Sequence, residues 1–154
     1  MNKNKLSYQK LAMAAVLIVI WFFLFPKKLP HTDLPQICHQ SICYDLEIAD
    51  TIELRSKWLM FRDSLAPNAW MIFIFPDQDV HKFWMKNTLI PLDMIRLSSW
   101  LQVLYIQNAL PCEQEICPTY WPDIFSKYVL EINWWLTEKI WLKVWDIMEK
   151  KWNR

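Results

Sequence analysis

At 154 residues the chain has room for one domain of ordinary size after an N-terminal stretch, enough to bury a core without a metal or a dense disulfide framework. The net charge of +1, from 17 Lys and Arg against 16 Asp and Glu, leaves no basic face for a phosphate backbone, so no nucleic-acid partner is expected. Two counts are abnormal: there are 11 tryptophans and no glycine at all, where glycine normally makes up roughly 7% of a chain.

Residues 1–10 carry Lys3, Lys5 and Lys10 without an acid, and an unbroken apolar run from Leu11 to Phe25 follows, closed by Pro26, Lys27 and Lys28. As a helix that run covers about 22 Å, short of the roughly 30 Å hydrocarbon core of a bilayer. Starting the helix at Leu6 makes up the difference, with Tyr8 and Lys10 at the interface. A cleaved signal peptide shares the charged start and the apolar run. It also needs a small-x-small site, and Phe25-Pro26-Lys27-Lys28 offers none. The expectation is an uncleaved signal-anchor over residues 1–26, meeting the membrane through residues 6–25. Three lysines and the α-amino group before the run outweigh the two lysines after it, which puts the N-terminus in the cytoplasm and the domain outside. Residues 27–42 read as a tether.

The domain is placed at residues 43–150. Cys43 to Ala49 sets Leu46 and Ile48 against Asp45 and Glu47, the alternation of a half-buried strand. Asp50 is expected to cap a short helix ending near Lys57, with Glu53 completing a capping box. Residues 71–75 (Met-Ile-Phe-Ile-Phe) read as a buried strand stopped by Pro76. Lys82–Asn87, Leu92–Leu97 and Leu101–Ile106 are predicted strands, the last two joined by a tight turn at Ser98-Ser99-Trp100. Tyr128 to Asn133 alternates again, Leu136 to Ile140 predicts a helical turn or two, and a last strand is expected around Ile147. Many short strands with two short helices predict a mainly β fold, a compact β-sandwich or barrel, preceded by one transmembrane helix.

Several ordered motifs carry a family resemblance. Leu59-Met60-Phe61-Arg62-Asp63-Ser64-Leu65 precedes the apolar strand and Pro76. Phe83-Trp84-Met85-Lys86-Asn87-Thr88, Pro91-Leu92-Asp93-Met94, Pro111-Cys112 and Tyr128-Val129-Leu130-Glu131 follow. Over roughly residues 44–150 this set closely resembles the family called domain of unknown function 192 (DUF192), found in bacteria and archaea. The resemblance implies a compact mainly β fold, often behind an N-terminal signal or anchor. It implies no established activity, so no catalytic residue is carried over.

The departures from that family are systematic. Where the family pattern reads Gly-Leu-Met-Phe-Arg this chain has Trp58, and Trp70 stands for the Gly before the apolar strand. The closing pattern resembles Gly-x-Lys-Val-Gly-Asp, and here it is Trp141-Leu142-Lys143-Val144-Trp145-Asp146. Local physics marks the same positions. Trp58 and Trp141 fall just past predicted helices, where a left-handed residue is wanted. Trp100 and Trp145 fall in tight turns, and Trp134-Trp135 crowds two indoles at a helix start. The surplus tryptophans are therefore expected to be glycines, encoded by UGA in a lineage that reads this codon as glycine. Trp84 fits the family's own Trp and is excepted, and Trp21 and Trp152 are assigned neither way. A truly Trp-rich domain is the alternative.

The four cysteines form two pairs of equal spacing, Cys38/Cys43 and Cys112/Cys117. Outside the cytoplasm such pairs oxidise, and local pairing is the expected choice among three connectivities. The spacing matches no common zinc pattern, so neither a metal nor any other cofactor is expected. Arg62, Trp84, Lys86, Asn87 and Asp93 are the candidate ligand-binding residues, polar groups beside an aromatic floor. The competing reading is a structural ion pair of Arg62 or Lys86 with Asp93. Asp93 and His81 are the weak catalytic candidates, for a hydrolase or transferase without a recognisable nucleophile. The sequence thus favours a non-enzymatic, membrane-tethered module of the envelope that binds a small ligand or a partner, with an enzyme or a purely structural protein as alternatives.

Overall fold

The computed structural model describes residues 34–57 and 59–152; the expected anchor, residues 27–33 of the expected tether and Trp58 lie outside the described residues. No helix among the described residues is long and apolar enough to cross a membrane. In chain order the elements are β1 (Gln36–His39), β2 (Ile42–Ala49), α1 (Ile52–Lys57), β3 (Ala69–Asp79), β4 (Phe83–Trp84), β5 (Leu92–Leu97) and β6 (Val103–Ala109). These are followed by β7 (Thr119–Tyr120), β8 (Ser126–Asn133), α2 (Leu136–Lys139) and β9 (Glu149–Lys151). The fold is mainly β with two short helices.

Seven strands make one sheet in the order β6-β5-β8-β3-β2-β1-β9, and β4 pairs with β7 in a separate ribbon. β2 and β3 run parallel, joined through α1, while the other pairings are antiparallel. The sheet curls into a half-barrel because its two ends meet. The Val103 N–H donates to Asp146 O at 2.8 Å and the Met148 N–H to Leu101 O at 3.0 Å, tying the approach to β6 to the approach to β9.

Period-2 alternation divides the side chains between two cores. Ile37, Leu46, Ile72, Ile95, Leu97, Leu130 and Ile132 fill the concave side, and each buried side chain of this size stabilises the fold by about 1.5–3 kcal/mol. Met71, Phe73, Leu92, Met94 and Val129 point the other way. They are covered by Leu59, Leu65, Met85, Ile90 and Cys112, all from segments between the main strands. That second face carries the candidate site.

The structure moves several predicted elements. Residues 36–42, expected in the tether, form β1 and the turn into β2, with Cys38 opposite Cys43. α1 is capped by Thr51 rather than Asp50, the Leu54 N–H donating to its Oγ1 at 3.2 Å. The strand expected over Lys82–Asn87 shrinks to Phe83–Trp84, because Asn87 turns left-handed (φ 58°) and Lys86 makes only a single bridge to Cys112. β3 runs on through Pro76, at the price of a register break against β8 between Ile74 and Asp79. In the β5–β6 turn the left-handed residue is Leu101 (φ 62°), not Trp100. Trp70, which stands where the family has Gly before the apolar strand, is fully buried and stacked 3.7 Å from Tyr44, with its Nε1–H unpartnered. Trp141 does take the left-handed conformation expected of it (φ 58°), just past α2.

Candidate functional site

A carboxyl group lies in the middle of the sheet. On β8, Leu130 and Ile132 point into the concave core, so Glu131 between them points to the opposite face. β8 is flanked by β3 and β5, and Glu131 sits opposite Met71 on one side and Met94 on the other. It is only 4% exposed, and its carboxyl has no hydrogen-bond partner among the described residues. Burial between two methionines raises its pKa to about 8; the attraction of Arg96 lowers it, but less. The carboxyl is therefore protonated at neutral pH, a hydrogen-bond donor as well as an acceptor.

Arg96, on β5, lies behind the same face and is 1% exposed. Its Nη2 donates to Tyr120 O at 3.2 Å, its guanidinium lies 4.6 Å from the Phe83 ring centre, and Nη1 is buried without a partner. Desolvation lowers its pKa to about 10, which leaves it charged at neutral pH. Arg96 thus fastens the β4–β7 ribbon, through both Phe83 and Tyr120, onto the sheet beside Glu131.

Between that ribbon, α1 and the sheet is a cleft of about 160 Å³. Glu131 forms its floor, Phe73, Phe75, Phe83, Trp84, Leu59, Met60 and Met85 form its walls, and Thr88 adds a hydroxyl. Thr88 is 6% exposed, and its side chain too lacks a hydrogen-bond partner among the described residues. Arg55, Ser56 and Lys82 complete the lining. Arg55 Nη1 donates to Ile74 O at 2.8 Å with the guanidinium over Phe75, and Lys82 Nζ lies 4.2 Å from the Trp121 ring centre. An apolar cleft with a few convergent polar groups and a displaced pKa is what a small-molecule site looks like.

The residues expected to form a pocket do not converge. Only Trp84 lines the cleft, with about half its surface open to solvent. Arg62 makes a two-pronged salt bridge to Glu47, both distances 2.8 Å, which raises the pKa of the guanidinium. Asp93 is wholly buried: Oδ1 accepts from Asn108 Nδ2 at 2.6 Å, and Oδ2 accepts from the Thr137 N–H and Oγ1 at 3.0 and 2.8 Å. It thereby holds the first turn of α2 against β5. The ion pair weighed for Asp93 with Arg62 or Lys86 is not formed, since these other partners take its oxygens. Lys86 bridges to Cys112, and the Asn87 carbonyl accepts the Phe61 N–H at 2.8 Å. His81 stacks on Phe75 with ring centres 3.4 Å apart, and burial lowers its pKa, so it stays neutral. The four cysteines pair as expected, Cys38 with Cys43 and Cys112 with Cys117. Among the described residues no cluster of His, Cys, Asp and Glu is built to hold a metal ion.

Residues 36–149 match the family model DUF192, described as an uncharacterised ACR. The chain belongs to the DUF192 family. A solved structure of a protein of unknown function from Novosphingobium aromaticivorans is 31% identical, covers 79% of this chain and 89% of its own, and superposes with a TM-score of 0.66. A second, from Sinorhizobium meliloti and described as a proposed transcription regulator, is 28% identical over 75% of this chain and 91% of its own, also with a TM-score of 0.66. Comparison with functionally curated proteins returns no match.

In this DUF192 chain the two residues that sequence reasoning missed are Glu131 and Arg96. Glu131 closes the Tyr128-Val129-Leu130-Glu131 motif, where an alternating strand makes any charged residue look like solvated surface. The signal that could have found them is a charge set between two large aliphatic neighbours, Glu131 between Leu130 and Ile132 and Arg96 between Ile95 and Leu97. A strand buried on both faces, as all six residues of β5 are, leaves such a charge no route to water.

Proposed function

We propose that this DUF192 domain is a small-ligand-binding module of the cell envelope, held outside the cytoplasm by residues 6–25, and that its site is the cleft floored by Glu131. The observation that carries this reading is the Glu131 carboxyl itself. Its oxygens make no hydrogen bond to the described residues and line the cleft, so a ligand there can supply in an apolar setting the hydrogen bond that the fold does not. Two disulfides fit an oxidising compartment. The enzymatic alternative through Asp93 or His81 has less behind it, because both Asp93 oxygens are taken up by structural hydrogen bonds. A fragment screen by ligand-observed NMR on the full chain in nanodiscs tests the reading. Binders should be displaced or lost in Phe83→Ala; a screen without any binder that responds to this change ends it.

The surplus tryptophans, read as UGA-encoded glycines, belong with this proposal because they decide which surfaces are real. Trp135, Trp141 and Trp145 take φ of 62°, 58° and 82° and are 60%, 74% and 70% exposed. A left-handed L-residue costs about 1–2 kcal/mol relative to glycine, and these indoles regain little of it by burial. The orphaned Nε1–H of buried Trp70 points the same way. Of the cleft lining only Trp84 is a tryptophan, and it is the one excepted. Intact mass of the protein purified from its own source decides the matter: a mass with 11 tryptophans would overturn the reading.

A further inference from the structure

We infer that the cleft takes a small planar organic anion whose far end carries a neutral hydroxyl or amide, bound with that end on Glu131 and Thr88 and its charge toward Arg55 and Lys82. This rests on the cleft being a ligand site and adds the chemistry of what enters it. Three features lead there. First, Glu131 and Thr88 are both more than nine-tenths buried, both line the cleft, and neither side chain has a hydrogen-bond partner among the described residues. A carboxylic acid and a hydroxyl each donate and accept, so together they match a group that does the same. A charged ammonium or carboxylate at that depth would lose its hydration for one or two hydrogen bonds.

Second, the walls suit a flat body. Phe73 and Phe83 meet edge to face with centres 4.9 Å apart, and Phe75 stands at 78° to Phe83. A volume of about 160 Å³ admits one ring with short substituents and little more.

Third, with the floor neutral, the charges lining the cleft are the two cations Arg55 and Lys82, backed by buried Arg96. Arg55 has one nitrogen committed to Ile74 O and Lys82 makes no hydrogen bond or ion pair among the described residues; both retain donors for a carboxylate or a phosphate. A cationic ligand would meet only like charge.

The experiment is a titration of the full chain in phosphatidylcholine nanodiscs at neutral pH with four probes of one ring: 4-hydroxybenzoate, benzoate, 4-hydroxybenzyl alcohol and tyramine. The expected order is 4-hydroxybenzoate tightest, with benzoate and the neutral alcohol each weaker by about tenfold, because the first gives up a hydrogen bond and the second an ion pair. Arg55→Ala should lower the preference for 4-hydroxybenzoate over the alcohol by several-fold, whereas a merely structural Arg55 would lower both affinities alike. Equal or tighter binding of tyramine overturns the anion assignment while leaving the cleft a binding site. Equal binding of benzoate and 4-hydroxybenzoate overturns the role of Glu131 and Thr88. If none of the four binds and the fragment screen is empty as well, the binding reading itself falls and takes this inference with it.

Discussion

Replacing Glu131 by glutamine keeps the shape and hydrogen-bonding groups of the protonated acid and removes its titration. In the folded domain the carboxyl holds its proton up to about pH 8, while in the unfolded chain it loses it near its ordinary value of 4.5. Between those limits the folded state binds more protons than the unfolded state, so stability is complete below the window, falls as pH rises through it, and levels off above it. Each pH unit weighs at most about 1.4 kcal/mol, so the whole window carries up to about 5 kcal/mol, reduced by whatever relaxation and water entry recover. Glu131→Gln should therefore match the wild type at about pH 5 and exceed it by a few kcal/mol at about pH 9. Guanidinium unfolding of the domain at both values, followed by tryptophan fluorescence, measures the difference. Parallel stability curves would refute the reasoning, as would a glutamine variant several kcal/mol weaker at neutral pH. Either outcome would mean that Arg96 holds the side chain as a carboxylate and that the cleft floor is charged.

Three other substitutions probe the neighbouring features. Asp93→Ala should cost about 2–4 kcal/mol in unfolding free energy, because buried Thr137 loses the acceptor of its N–H and hydroxyl and exposed Asn108 loses its partner, yet ligand affinity per folded molecule should not change. Trp141→Gly and Trp145→Gly, made in the sequence as written, should each raise stability by about 1 kcal/mol through relief of the left-handed backbone; a fall in Tm would count against glycine at those turns. Cutting the Cys112–Cys117 loop with Cys112→Ser and Cys117→Ser should cost about 2 kcal/mol. It should also weaken ligand binding, since Cys112 bridges Lys86 and β7, just past Cys117, pairs with the cleft wall at β4.

What could be read from the sequence was local. The alternation of Cys43–Ala49 and Tyr128–Asn133 depends on the two-residue repeat of a strand, and both segments are strands. Met71–Phe75 and Leu92–Leu97 likewise lie within strands, and equal cysteine spacings led to the two local disulfides that form. The boundaries misplaced at Asp50 and Trp100 are turns where neighbouring residues compete to supply a cap or a left-handed angle, and a difference of one residue is invisible in the pattern; the strand expected to reach Asn87 ends three residues earlier, at Trp84.

The site was not local, and tertiary structure alone assigned it. Arg62 and Asp93 stood out as polar residues in distinctive motifs, but Arg62 is bound to Glu47 on β2, and Asp93 to Thr137, 44 residues away. Alternation says that Glu131 opposes Leu130; it cannot say whether the face it points to is open water or lies beneath another segment. Placing β8 between β3 and β5, and laying α1 and the β4–β7 ribbon over that face, made Glu131 the floor of a cleft. The sequence determined the strands and the family because those follow from short-range periodicity and motif order. The chemistry of the cleft follows from which strands become neighbours and what covers them, and only the folded chain decides that.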